Sequence, residues 1–169
     1  MFDIGDPVVH PTRGAGFVVG FEEFQRQGDV RRYYKIKLLG QEESSLMIPI
    51  YNADSVGLRP AMTRRQLQRI WSVLRAEPEV LPKDYKARQK LVESKLATGD
   101  ILQIAEAVRD MAWRLHQEND LTKRGKQIYQ RSLMMLAAEV AASKGVSLVE
   151  AEAVVRARLQ EIMPDSTVE

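Results

Sequence analysis

Residues 81–90 combine an aromatic side chain with a cluster of cations at a predicted helix start. Tyr85 lies in the first turn, and Lys86, Arg88 and Lys90 follow it. Backbone N–H groups at a helix start favour anions, neighbouring cations neutralise phosphates, and an aromatic ring can wedge against a base. This pattern suits contact with a DNA backbone. From spacing alone, the more ordinary interpretation is that Tyr85 packs on a bundle and the cations form a solvated face.

A second group of cations begins another predicted helix. Lys123, Arg124, Lys126 and Arg131 follow one another there without an acidic neighbour. The helix dipole disfavours cations at this end, so their presence hints at an anionic partner.

Residues that suit catalysis or metal binding are few. The chain has no cysteine, and its two histidines, His10 and His116, lack metal-ligand spacing. Residues 14–20 superficially resemble a nucleotide-binding loop, but the third glycine is misplaced and β-branched residues stand where a phosphate-binding helix should begin. We therefore predict no enzyme, no cofactor and no metal site. A small hydrolase that uses one of the histidines is the remote alternative.

Length and composition indicate a globular protein. With 169 residues, 44% of them hydrophobic and 28% charged, the chain can form one ordinary domain or two small ones. The net charge of +2 is too small to indicate a polyanionic partner. No apolar run approaches the roughly 18 residues of a membrane helix, and the N-terminus lacks a signal-peptide pattern. We expect a cytoplasmic protein.

The elements that must position these residues fall into two halves. Seven of the ten glycines lie in the first 60 residues, between short β-branched and aromatic runs. This composition predicts strands at 7–10, 16–24, 31–39 and 45–50, and chain reversals at 27–29 and 40–42. A small SH3-like or Tudor-like barrel is the expected arrangement, because closing the sheet hides its edges.

Helical periodicity replaces this pattern after Pro60 and predicts a five-helix all-α domain over residues 61–169. Capping boxes are predicted at Thr63 with Gln66 and at Ser147 with Glu150. The first helix carries an inward Trp71 and stops at residues 77–78. The others are expected at 83–97, from a cap at 100 to before 119, at 122–143, and from 147 through 163, with a frayed tail over 164–169.

Seven blocks along the chain carry a family resemblance. In order they are FDIGDPVVHP (2–11), GAG (14–16), YY (33–34), MIPI (47–50), SVGLR (55–59), LATGD (96–100) and IAEAVRD (104–110). With these blocks the chain resembles the CarD/CdnL family of RNA polymerase-binding bacterial transcription regulators. The resemblance covers nearly the full chain.

The resemblance implies a Tudor-like domain, residues 1–60, that docks on the β subunit of RNA polymerase. It implies a helical domain, residues 61–169, that contacts promoter DNA at the upstream edge of the melted region without reading its sequence. An aromatic residue of the family, usually tryptophan, wedges into the minor groove and slows collapse of the open complex. Tyr85 occupies that place, and we expect a weaker wedge because tyrosine has a smaller ring and a hydroxyl that needs a partner.

The resemblance also implies which side chains meet each partner. Four cations fall at or beside basic positions that the family directs at DNA phosphates: Lys86, Arg88, Lys90 and Lys126. Some relatives carry arginines at positions that read Phe24 and Met47 here, and Arg26 can substitute for one of them. The polymerase surface is therefore expected around Phe24, Arg26, Met47 and Pro49, with an added edge strand from the β subunit.

These implications lead to a nucleoid-associated regulator, for which we favour a monomer. The alternative is a protein-interaction adaptor that docks on polymerase or a repair factor and never touches DNA.

Overall fold

The computed structural model describes residues 1–164, in which an antiparallel sheet precedes five helices. The strands are β1 (Pro7–His10), β2 (Gly14–Arg26), β3 (Asp29–Leu38), β4 (Leu46–Pro49) and β5 (Arg59–Pro60), and a 3-10 turn spans Ile50–Asn52. The sequence predicts β1 at these bounds and the next three strands within two residues, but it misses β5. Apart from Pro164, the predicted tail lies outside the described residues.

The sheet has the strand order β4-β3-β2-β1-β5, and every neighbouring pair is antiparallel. The predicted reversal between β2 and β3 is confirmed. Gln27 and Gly28 have φ of 51° and 89°, and two consecutive positive values are typical of a two-residue hairpin turn. The barrel prediction implied a sheet closed by hydrogen bonds. Among the described residues β4 and β5 do not pair with each other, so the sheet stays open between these two strands.

The glycine-rich run at 14–20 lies within β2. Its first residues pair with β1 on one side and β3 on the other. A Cβ on Gly16 would lie 2.1 Å from the carbonyl oxygen of Lys37, so glycine is required here by the close approach of β3. The run is a strand, not a loop that opens a phosphate-binding helix.

Five helices form the second half: α1 (Leu67–Arg75), α2 (Tyr85–Ala97), α3 (Ile101–Glu118), α4 (Lys123–Lys144) and α5 (Leu148–Gln160). Both predicted capping boxes are confirmed by reciprocal hydrogen bonds, in Thr63 with Gln66 and in Ser147 with Glu150. The predicted start of α2 near Pro82 is wrong. Asp84 has an extended backbone, and its carboxylate accepts the N–H of Ala87, so the helix begins at Tyr85.

The helical core lies around α3 and α4. Trp71 is 5% exposed and packs in this core, as predicted, whereas Trp113 is half-buried. The predicted end of α5 at Met163 is three residues too far. Within residues 1–164, no single helix is long and apolar enough to span a membrane; α4 and α5 meet that criterion only as a pair, and the pair is bent by 114°.

The two halves meet where α4 packs on β1 and β2. The fully buried apolar side chains of this contact are small: Val9, Ala15, Ala61, Ala138 and Ala142, with Phe17, Leu39 and Leu148 packed against them at its margin. An ion pair lies beside it. Arg59 of β5 donates from Nη1 to Oε1 of Glu139 at 2.7 Å and from Nη2 to Oε2 at 2.9 Å.

Glu139 of α4 is completely buried, and its Oε1 also accepts the N–H of Met62 at 3.2 Å. The carboxylate thus has three hydrogen bonds, all from residues 59–62. The hydrogen bond from Arg59 to Glu139 raises the pKa of Arg59 above its usual value. A buried charge with such partners is costly to separate from them.

We predict that Arg59→Ala lowers the free energy of unfolding by about 3 kcal/mol or more, because Glu139 would stay buried without its cation. Replacing both partners, as Arg59→Met with Glu139→Leu, should cost less. Lys35→Ala is the control, since it breaks an exposed pair with Glu22 and should cost below about 1 kcal/mol. Urea denaturation of the full chain measures all three. Equal losses for Arg59→Ala and Lys35→Ala would contradict this account.

Candidate nucleic-acid interface

Tyr85 is the first residue of α2, and its side chain is 49% exposed. The Nζ atom of Lys86 lies 6.0 Å from the centre of its ring. Lys83, Lys86 and Lys90 are also exposed at this end of the helix. About half of Tyr85 thus packs on the protein, and the other half is available for an external contact.

Arg88 is placed differently from the other predicted DNA contacts. Only 5% of it is exposed, and Nη1 donates to the carbonyl oxygens of Pro82 and Lys83, both at 3.0 Å. It lies on the inward side of α2 together with Val92 and Leu96. A guanidinium held in this way stabilises the loop before Tyr85, so we correct its expected role from phosphate contact to positioning.

The expected anion site at the backbone of the α2 start is also partly occupied. Asp84 Oδ2 accepts the N–H of Ala87 at 2.9 Å, and this carboxylate places a negative charge at the helix end. An incoming phosphate would be repelled by that charge. The lysine side chains, not the helix end, are thus the groups suited to phosphates.

The structure brings the two basic clusters together. Gln89 Nε2 of α2 donates to Oγ1 of Thr122, the N-cap of α4, at 3.0 Å. The Nη2 atom of Arg124 in α4 lies 2.9 Å from Oε1 of Glu93 in α2. Lys126 is exposed one turn into α4, and it therefore lies on the same end of the bundle as the cations of α2. The clusters are far apart along the chain, and their spacing gave no sign of this proximity.

Buried charges around the α2 tip escaped the sequence reasoning. Arg109 donates from Nε to Asp110 Oδ1 at 2.8 Å and from Nη1 to the carbonyl of Val73 at 3.1 Å, while Asp110 Oδ1 accepts the N–H of Glu79. Arg114 binds Asp120 by two hydrogen bonds of 3.1 and 2.8 Å. Arg114 thus holds the loop before α4, and Asp110, which Arg109 binds, holds the loop before α2. The only signal was their place on α3 beside its apolar stripe.

The predicted polymerase residues all lie on the outer face of the sheet. In β3, Tyr34 and Ile36 are buried, so Tyr33 and Lys35 point outward. Pro49 pairs with Tyr33 and Met47 with Lys35. The ring of Phe24, which is 50% exposed, packs edge-on against Tyr33 with centres 5.2 Å apart. Phe24, Arg26, Met47 and Pro49 thus share one surface.

Two features of this surface suit a protein partner. β4 is an edge strand, so its outer backbone groups are not paired within the sheet. A groove of about 310 Å³ lies at the β2–β3 hairpin and is lined by Phe24, Arg26, Gln27, Asp29, Arg31 and Tyr33. Apolar rings beside an open strand edge are the features used when an extended segment adds to a sheet.

The fold is that of a two-domain protein, with a five-stranded β domain followed by a five-helix domain that carries exposed lysines at one end. Residues 2–62 match the CarD-like/TRCF RID domain, and residues 69–156 match the CarD C-terminal domain. The chain is also 30% identical over 149 residues to "Putative transcription factor YdeB" of Bacillus subtilis (strain 168), covering 87% of this chain and 95% of that one. The chain belongs to the CarD family.

The family assignment confirms the resemblance and indicates a role in transcription, of the transcription-factor type. The two matched regions also meet close to the junction of the two halves, between residues 62 and 69.

We predict that Arg88→Ala lowers the free energy of unfolding by about 1–3 kcal/mol, because the carbonyl oxygens of Pro82 and Lys83 lose their charged donor and a buried side chain is removed. Lys86→Ala and Lys90→Ala change exposed side chains and should stay within about 0.5 kcal/mol of the parent. Thermal and urea denaturation compare the three variants. A stability loss at Lys90 as large as that at Arg88 would contradict the separation into positioning and surface cations.

Proposed function

We propose that this protein is a transcription regulator that binds the β subunit of RNA polymerase and stabilises the promoter open complex. The β domain would hold the polymerase through the outer-face surface around Phe24, Arg26, Met47 and Pro49. The helical domain would contact DNA at the upstream edge of the bubble with Tyr85, Lys86, Lys90 and Lys126. Cytoplasmic and nucleoid location would follow from these two partners.

The observation that carries the proposal is the exposed ring of Tyr85 at a helix tip with lysines around it. Lysines can neutralise phosphates of any sequence, so such contact gives affinity without base-specific readout. A ring at the tip can enter a disturbed base step, which is more accessible at the edge of melted DNA. The tip therefore has different contacts with open and closed promoters.

This difference is what a stabiliser requires. A protein that bound the closed and open complexes equally would leave their ratio unchanged. In our proposal, the polymerase contact is the same in both complexes, and the Tyr85 contact is made only with the open one. The regulator then slows the return from open to closed.

The β-domain surface supports the other half of the proposal. Phe24 and Tyr33 offer adjacent rings, and the β4 edge offers unpaired backbone groups beside them. Aromatic residues are common among those that dominate the binding energy of protein interfaces. The same surface would serve the alternative adaptor role, so only DNA binding by the helical domain separates the two functions.

We predict that Tyr85→Ala shortens the lifetime of the open complex formed with this protein, while Tyr85→Trp lengthens it because of the larger ring. Dissociation of polymerase from a promoter fragment after addition of a competitor measures the lifetime. Leu91→Ala is the control, since Leu91 is exposed further along the same helix. If Tyr85→Ala left the lifetime as in the parent, the wedge role would be wrong.

We predict that Phe24→Ser weakens binding to the isolated β lobe of polymerase about tenfold or more, as expected for an aromatic interface residue. Val149→Ser is the control, since Val149 is 77% exposed on α5. Titration calorimetry gives both affinities. Parent protein without affinity for the β lobe would end the proposal. Parent protein that binds the lobe but not duplex DNA, even at low salt, would favour the adaptor.

A further inference from the structure

A basic groove lies where the β domain meets α4. It has a volume of about 220 Å³ and is lined from one side by the turn at Thr12, Arg13 and Gly14, and from the other by Arg131 and Met134 of α4. The other lining residues are Ala15, Leu39, Gln41, Met135 and Ala138. None of the lining residues is a carboxylate. The groove therefore presents two positive charges without an opposing negative one.

Arg13 and Arg131 have no carboxylate partner of their own among the described residues. Both are exposed, and within residues 1–164 neither forms an ion pair. By contrast, Arg32 pairs with Glu23, Lys35 with Glu22 and Arg124 with Glu93. Guanidinium groups without such partners can give their full fork of donors to an external anion.

The turn that carries Arg13 is held in place. The Nδ1 atom of His10 accepts the backbone N–H groups of Thr12 and Arg13, both at 3.3 Å. Burial and the charge of Arg13 lower the pKa of His10, which keeps this nitrogen free to accept. Pro11 packs so closely on Gly99 that a Cβ there would lie 2.5 Å from the Cβ of Pro11. The turn is thus fixed against the helical domain.

Arg131 continues the row of cations that begins at the tip of the bundle. It lies seven residues after Arg124 on α4, which places the two side chains on nearly the same face of the helix, a rise of roughly 10.5 Å along the helix axis at about 1.5 Å per residue. Duplex DNA carries a charge about every 3.4 Å along each strand, so a backbone passing Arg124 also presents phosphates near Arg131. Arg13 extends the row from α4 onto the β domain.

We propose that the groove between Arg13 and Arg131 binds the phosphate backbone of duplex DNA, so that the β domain contacts DNA as well as polymerase. This inference rests on the proposed function, because it continues the DNA surface of α2 and α4. The contact is independent of sequence. It adds affinity for the duplex beside the tip and leaves the wedge at Tyr85 unchanged.

The salt dependence of binding to a duplex of arbitrary sequence tests the inference. The magnitude of the slope of log K against log salt falls by about 0.9 when one phosphate is no longer neutralised by the protein. We expect Arg13→Gln and Arg131→Gln each to reduce it by about that amount, and the double variant by about twice as much. Arg69→Gln is the charge-matched control, since Arg69 is exposed on α1, which packs on α3 and α5.

The outcomes are distinguishable. If the parent protein does not bind duplex DNA at low salt, both the proposed function and this inference fail. If the parent binds and the double variant keeps its slope, or changes it only as much as Arg69→Gln does, the groove inference alone is wrong. Arg13→Lys with Arg131→Lys retains both charges and should restore the slope, which a loss of folding in the double variant would not explain.

Discussion

A buried carboxylate determines how the two domains of this protein meet. Glu139 is fully enclosed, and its three hydrogen bonds all come from the segment that joins the sheet to the helices. The buried apolar contact beside it consists mainly of alanines, with Phe17, Leu39 and Leu148 at its margin, and apolar contact of this kind is not directional. A displaced interface would leave Glu139 without its cation, and an unpaired buried charge costs several kcal/mol. One orientation of the domains is therefore strongly preferred.

The same principle divides the cations of the helical domain into two groups. Arg88, Arg109 and Arg114 are buried; Arg88 and Arg114 hold the loops before α2 and α4, and Arg109 binds Asp110 and the carbonyl of Val73 in α1. Lys86 and Lys126 are exposed and do not hold these loops. Because these buried arginines fix the backbone at the tip, less conformational entropy is lost when the tip binds a ligand. The buried arginines thus contribute to any contact of the tip without touching the ligand.

Local patterns predicted the local structure well. Alternating apolar residues and glycines gave four strands, and the Thr63–Gln66 and Ser147–Glu150 motifs gave two helix starts, because each depends on neighbours a few residues apart. The pairing of Arg59 with Glu139 joins residues 80 positions apart, and no spacing rule indicates it. Arg88 was misjudged for a related reason. Its position among lysines suggested a surface, whereas its spacing of four residues from Val92 and eight from Leu96 places it on the buried face of α2.

A fixed orientation also bears on how a weakly basic protein would act on DNA. With 25 Lys and Arg against 23 Asp and Glu, the chain has little excess positive charge, so its affinity for free DNA would be low. On the proposed function, docking on polymerase makes the DNA contact intramolecular, and effective concentrations for such contacts reach the millimolar range. A tip with low affinity for DNA is then sufficient, provided that polymerase holds it at the place where the promoter opens. Tyrosine in place of a larger ring is compatible with this arrangement, because a high effective concentration compensates for the lower affinity of the single contact.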